Sequence, residues 1–375
     1  MRCRDVQTLI DQVRAPGRSA RARPRTARAI ARRIIVAGVA GACLAAGDVA
    51  AAAESGCTLV KIADLPVRVI KNKLIVDGTI NGRKMGVVLD TGAMMTLVLR
   101  PATDRLGLER HEARGYRMFG IGGETKAESV LIDDFRIGQA SRKGWRMLVA
   151  GEHDLGEEAA VLLGEDFFDQ VDVEFDLEHN AVRLFQPKNC DGVSLAYWTT
   201  EEPRVAEIDA IYDYQPRIFL TLQINGQPVK TMLDSGSGAS ILTRADAARL
   251  GVTPETAGVT AVENGTGLGP KQINMWVGPF DKVVIGNEII NHAHIYFGDL
   301  YKDDTYTSIG SRVAKNVSHE QPMLLGADFL RAHRVFVSHS QRKMYFTYLG
   351  GPVFAVPRPA KAESNPKPKP EARPN

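Results

Sequence analysis

Two short runs of the chain set an acid directly behind an apolar strand end: Val87-Val88-Leu89-Asp90-Thr91-Gly92-Ala93 and Met232-Leu233-Asp234-Ser235-Gly236-Ser237. A carboxylate in such surroundings is costly to bury unless something stabilises it. The next residues supply the means. The hydroxyls of Thr91 and Ser235 can hydrogen-bond backbone across an interface, while Gly92 and Gly236 let two such loops approach closely. Two acids that meet in this way can divide the work of a general acid and a general base.

The elements that must position them repeat along the chain. At an offset of 144 residues, Asn81-Gly82 falls on Asn225-Gly226, Asp90 on Asp234, Gly92 on Gly236, and Leu106-Gly107 on Leu250-Gly251. The register resumes at 162, with Leu163-Gly164 on Leu325-Gly326 and Asp166-Phe167 on Asp328-Phe329, so the second copy holds 18 extra residues. A period this long denotes duplicated domains, not a solenoid. In each copy an Asn-Gly dipeptide joins two aliphatic runs, Leu74 to Ile80 with Met85 to Leu89, and Ile218 to Ile224 with Val229 to Leu233, which predicts a hairpin. A short helix is expected after Thr243, ending at Gly251, with Pro101 to Leu106 as its counterpart. The rest is strand and loop, so the fold class is all-β. Asp166 and Asp328 are expected to cap short helices that pack Phe167 and Phe329 inward.

The two acid-bearing runs resemble the active-site loops of aspartic proteases, specifically the retropepsin-like family. The resemblance extends to Leu162-Leu163-Gly164 and Leu324-Leu325-Gly326 as the apolar-apolar-Gly element. It also extends to two Gly-rich flap candidates: Tyr116 to Lys126, with Phe119, Gly120, Ile121 and Gly122 near its tip, and Val259 to Pro270, with Gly265 and Gly267. It covers roughly residues 65–187 and 210–350 and implies two tandem β-barrel lobes related by a pseudo-twofold. It further implies a cleft closed by the flaps over an extended peptide, and an endopeptidase in which Asp90 and Asp234 share a water. Carboxyls about 3 Å apart cannot both ionise, so one acts as base and the other as acid, with neither cofactor nor metal. Thr91, Gly92, Ser235, Gly236 and Ser237 would support the loops. The loops differ where Ala93 answers to Ser237. A Ser237 hydroxyl donating to Asp234 would make that residue the readier carboxylate and Asp90 the protonated partner; turned into its own loop, it would not. No aromatic is placed at either flap tip, although Tyr116 and Phe119 are near the first. The alternatives are a homodimer pairing like lobes, and a non-catalytic double barrel that binds peptide or cell wall.

The 375 residues, 44% hydrophobic and 24% charged, suit two globular domains rather than a disordered or fibrous chain. Residues 1–53 hold ten Arg and no Lys against Asp5, Asp11 and Asp48, and beyond them 37 basic residues face 41 acidic ones. The basic balance therefore belongs to the leader and does not point to nucleic acid. That leader reads as an export signal: Arg32-Arg33, an apolar run from Ile34 to Gly47, then Val49 to Ala53. A run of this length is too short for a spanning helix, and the expected location is periplasmic or secreted, anchored if the leader stays on. Without the leader only Cys57 and Cys190 remain, which an oxidising compartment could join, the alternative being two unrelated thiols. His292 and His294 lack an evident third ligand, and no metal is expected. The domains read as a lobe over 58–190, a linker over 191–214, a lobe over 215–350 and a disordered tail over 357–375. The expected partner is a peptide or protein substrate, bound by a monomer.

Overall fold

The computed structural model describes residues 56–354 except 115, 117, 157, 210–216, 302–304, 308–313 and 317–322. The export-signal reading of the leader and the disorder expected of the tail fall outside the described residues.

The duplicated hairpins each open a closed barrel. In the first, the strands Lys73–Ile80, Arg83–Leu89, Val161–Leu163, Leu97–Leu99, Ala140–Ala150 and Glu128–Ile137 are neighbours in that order, and Lys73–Ile80 pairs again with Glu128–Ile137. The second repeats the order with Phe219–Ile224, Gln227–Leu233, Met323–Leu325, Ile241–Thr243, Glu288–Gly298 and Ile273–Ile285, and closes in the same way. The Asn-Gly turns take the left-handed backbone that a two-residue hairpin demands, with φ of 50° and 77° at Asn81 and Gly82 and of 49° and 77° at Asn225 and Gly226. Each Asn also closes its barrel. The Asn81 side chain accepts the amides of Asp133 and Asp134 at 3.0 Å, and that of Asn225 accepts the Lys282 amide at 3.2 Å.

The wholly apolar strand ends make sense in this architecture. Val87-Val88-Leu89 runs parallel to Val161-Leu162-Leu163, and Thr231-Met232-Leu233 to Met323-Leu324-Leu325, so both members of each pair are covered on two faces. Val87, Leu89, Leu233 and Leu325 are fully buried, each contributing about 1.5–3 kcal/mol relative to an exposed side chain. The short helices form where expected. Arg100–Leu106 ends at Gly107 with φ 61°, and Arg244–Arg249 is capped by the Thr243 hydroxyl, which accepts the Asp246 amide.

A third sheet joins the lobes. Its six strands run Thr58–Pro66, Ala181–Lys188, Asp172–Asp176, His333–Ser338, Lys343–Tyr348 and Arg204–Glu207, and the central pair puts Val173, Glu174 and Phe175 opposite Val337, Phe336 and Val335. Glu174, fully buried, is held from both sides, by Arg183 at 3.0 Å and by Arg334 of the other lobe at 2.6 Å. The stretch read as a linker is structured in part: Arg204–Glu207 is an edge strand, and Leu195 and Ala196 bury themselves against Phe185, Phe336 and Tyr345. Cys57 and Cys190 are bonded beside this cluster, closing a span of 133 residues.

The disulfide should therefore be present in purified protein, and intact mass with and without reductant checks it. Reduction, or Cys57→Ser with Cys190→Ser, should lower stability by about 2–5 kcal/mol, since a long loop regains its freedom in the unfolded chain.

Candidate active site

The two Asp-Thr/Ser-Gly runs meet in one chain through a reciprocal clasp. The Thr91 hydroxyl donates to the Leu233 carbonyl at 2.8 Å, and the Ser235 hydroxyl donates to the Leu89 carbonyl at 2.8 Å. Each hydroxyl also accepts the backbone amide of its counterpart, Ser235 N at 3.0 Å and Thr91 N at 3.1 Å. Both residues are almost fully buried, so all four bonds are made away from water, where leaving a polar group unpaired costs about 1–3 kcal/mol. Thr91, Ser235 and the two aspartates are thereby brought together. Gly92 and Gly236 are required by the closeness that results. A Cβ at Gly92 would lie 2.6 Å from a carboxylate oxygen of Asp234, and one at Gly236 would lie 2.6 Å from a carboxylate oxygen of Asp90.

Each aspartate is held from behind in the same way. The Asp90 amide donates to Leu163 and the Asp234 amide to Leu325, both at 2.9 Å. The carboxyl of Asp90 accepts the amides of Gly92 and Ala93 at 3.1 Å, while that of Asp234 accepts the Ser237 amide at 3.0 Å. The surrounding protein, and after it the charge of Asp234, pushes the Asp90 carboxyl up to about 7. Asp234 is also raised, by burial, but Lys73 and the amides of Ser237 and Gly236 oppose the rise. At Asp90 the charge of Asp234 adds to burial, and both favour its protonated form. The cause is not the side chain of Ser237: its hydroxyl turns into its own loop and donates to the Ala239 carbonyl at 2.7 Å. Burial and the charge of Asp234 act instead.

Asp166 and Asp328 do not cap helices. The residues at the helix starts are Gly164 and Gly326, and the two carboxylates reach across to brace the aspartate loops. Asp166 accepts the amide and the hydroxyl of Thr96, both at 2.7 Å, and Asp328 accepts those of Ser240 at 2.8 and 2.7 Å. Those hydroxyls in turn accept the amides of Gly164 and Gly326. Phe329 is fully buried as expected, whereas Phe167 packs against the core only half-buried beside a fully buried Phe168, the counterpart of the buried Leu330.

The flap candidates also meet. Met118–Gly120 and Gly123–Thr125 form the first hairpin, which carries Phe119 and turns at Ile121-Gly122. From the second flap, Gly269 N donates to the Ile121 carbonyl at 2.9 Å and Lys271 N to the Gly122 carbonyl at 3.0 Å. Gly267 lies against Ile121, and Gly265 pairs with Ile273 at the end of the strand Thr260–Gly265. The tips carry aliphatic anchors where aromatics were sought. Ile121 packs against Phe219, Met232 and Leu324 of the opposite lobe, and Leu268 lies against Gly120 and Gly151.

Two residues beside the aspartates escaped the reading of the sequence. Lys73 donates to the Gly236 carbonyl, and its charge favours the ionised form of both aspartates. Glu165 is fully buried with no hydrogen-bond partner among the described residues on either carboxylate oxygen; burial, then Asp169, Asp90 and Asp166, hold its pKa well above the ordinary range. A signal for Lys73 was available, because it stands 17 residues before Asp90 just as Arg217 stands 17 before Asp234.

The raised Asp90 pKa has a thermodynamic consequence. The folded protein holds a proton at Asp90 that the unfolded chain releases near the ordinary aspartate value of 3.8. This site therefore lowers stability as pH rises from about 4 to about 7. Asp90→Asn should raise the melting temperature more at pH 8 than at pH 4, measured by thermal unfolding of both proteins at each pH.

The geometry has counterparts among known proteins. The sequence pattern of one family, described as aspartyl protease, matches residues 76–167 and 220–329, one segment in each barrel. No curated protein matches the chain. With more than half of its length matched, and each matched segment carrying one of the two clasped aspartate loops, the chain belongs to the aspartyl protease family.

Proposed function

We propose that the protein is an endopeptidase that hydrolyses peptide bonds with a water activated between Asp90 and Asp234 of the same chain. The observation that carries this reading is the Thr91–Ser235 clasp, which sets each carboxyl against the glycine of the opposite loop. Asp234, as carboxylate, takes a proton from the water as its oxygen bonds to the scissile carbonyl carbon. Asp90, protonated, hydrogen-bonds the carbonyl oxygen and stabilises the charge that develops there. The tetrahedral intermediate collapses when Asp234 passes the proton it took from water to the amide nitrogen, which leaves as an amine, and the pair returns to its starting state. The extended substrate would lie beneath the flaps and pair with them as a strand. Ile121 and Leu268 interlock across the lobes, so entry would require the flaps to part. A disulfide suits an extracytoplasmic protein, and among the described residues no helix is long and apolar enough to cross a membrane. We read the chain as acting outside the cytoplasm, as a monomer whose two lobes supply the pair that a homodimer would otherwise assemble.

Asp90→Asn and Asp234→Asn should each lower kcat/KM on a peptide library by at least about a hundredfold, the lower end of what general acid–base catalysis supplies. Near-full activity in either variant would exclude the shared mechanism. Binding of uncleaved peptide by the parent protein, undiminished in both variants, would identify a binding module instead. Because Asp90 must carry its proton, activity should fall above about pH 7, the value to which its carboxyl is pushed; a pH–rate profile checks the limb.

A further inference from the structure

The duplication is unequal around the aspartates. At the offset of 144 residues Lys73 corresponds to Arg217, and at 162 Glu165 corresponds to Ala327. The charge of Arg217 acts on the buried Glu165. Where the second copy has Ala327, the related cation Lys73 meets a backbone carbonyl, that of Gly236.

Lys73 is delivered there by construction. It begins the strand Lys73–Ile80 immediately after a two-residue turn, in which Lys71 and Asn72 have φ of 48° and 61° and Ile70 pairs with Lys73. A turn of that class requires positive φ at both central residues. The same turn packs on the second aspartate loop: a Cβ at Gly238 would lie 3.1 Å from the Cβ of Asn72 and 3.5 Å from the Lys71 carbonyl. The Gly236 that Lys73 grips is the residue that abuts the Asp90 carboxyl. One side chain of the first lobe thus holds the second lobe's loop at its closest point to the first lobe's acid.

We propose that Lys73 is a positioning residue for the aspartate pair: its ammonium, bonded to the Gly236 carbonyl, holds the Asp234 loop against Asp90 and favours a pair carrying one negative charge over a pair carrying none. The other charged groups that act on the pair or on its immediate neighbours are Glu165, Asp166, Asp169 and Arg217, and Glu165 is itself held towards its neutral form. Removing a nearby cation raises a carboxyl pKa. The inference deepens the hydrolytic reading but does not depend on turnover, since the pair can be titrated directly.

The experiment is a carbon-13 NMR titration of the full chain labelled at aspartate, with Asp90→Asn and Asp234→Asn as assignment controls. Lys73→Gln keeps an N–H donor for the Gly236 carbonyl and removes the charge, Lys73→Met removes both, and Lys73→Arg restores the charge. The midpoints of the pair should move to higher pH in the Gln and Met variants and return towards the parent in Lys73→Arg. Where peptide is cleaved, both limbs of the pH–rate profile should follow in the same direction, with KM within about twofold of the parent, a change of no more than about 0.4 kcal/mol in binding. Midpoints in the Gln variant within about 0.2 units of the parent, under about 0.3 kcal/mol, would overturn the proposal. So would an Arg variant displaced as far as Gln, because a purely structural tether would change melting temperature without following charge. Displaced midpoints in a protein that cleaves nothing would sustain the role of Lys73 and defeat the hydrolytic reading.

Discussion

Two carboxyls brought together out of bulk water repel each other and lose hydration, and the rest of the structure is arranged to bear that cost. The Thr91 and Ser235 hydroxyls each donate to the opposite strand end and accept the opposite amide, so neither loop can withdraw without stranding buried polar groups on both sides. Behind the clasp stand the apolar strand ends and their parallel partners. Behind those, Asp166 and Asp328 lock the chain that leaves each loop. The elevated Asp90 pKa expresses the burial, and after it the repulsion from Asp234, that remain uncompensated. A fold selected for stability alone would have no reason to keep it.

The layers above and below the clasp serve the same end. Below, the six-stranded sheet takes three strands from each half, and the buried Glu174 draws Arg183 and Arg334 from opposite lobes. Such an ion cluster is weak evidence for stability but strongly directional, since removing one partner leaves a buried charge uncompensated. Above, each flap sends an aliphatic side chain into the other lobe: Ile121 into the second, Leu268 into the first. The lobes are thus tied twice, through the shared sheet and through Ile121 and Leu268.

Duplication did not impose symmetry on the charges. The barrels share strand order, turn chemistry and loop bracing, all dictated by backbone geometry that admits few alternatives. Charged side chains around the aspartates are under no such constraint. There Lys73 and Arg217 diverge, as do Glu165 and Ala327. A pair of chemically identical acids can take different roles only if their surroundings differ.

The backbone of this protein was legible in its sequence because the signals are local. An Asn-Gly between aliphatic runs admits one kind of turn, Thr243 and Gly251 bracket a helix, and a repeat at 144 residues declares two like domains. The aspartate loops could be named on the same footing, since an acid after a buried strand end needs the hydroxyl and the glycine beside it. What only the tertiary structure decided are contacts between segments far apart in the chain. The Ser237 hydroxyl faced two acceptors and took the Ala239 carbonyl; Asp166 and Asp328 found the hydroxyls of Thr96 and Ser240 in distant loops in place of helix ends. Part of an apparent linker found a sheet edge and became a strand. Lys73 is the clearest case. Residue type and spacing could match it to Arg217, but its place at the Gly236 carbonyl follows from how two lobes dock, and no local pattern encodes that.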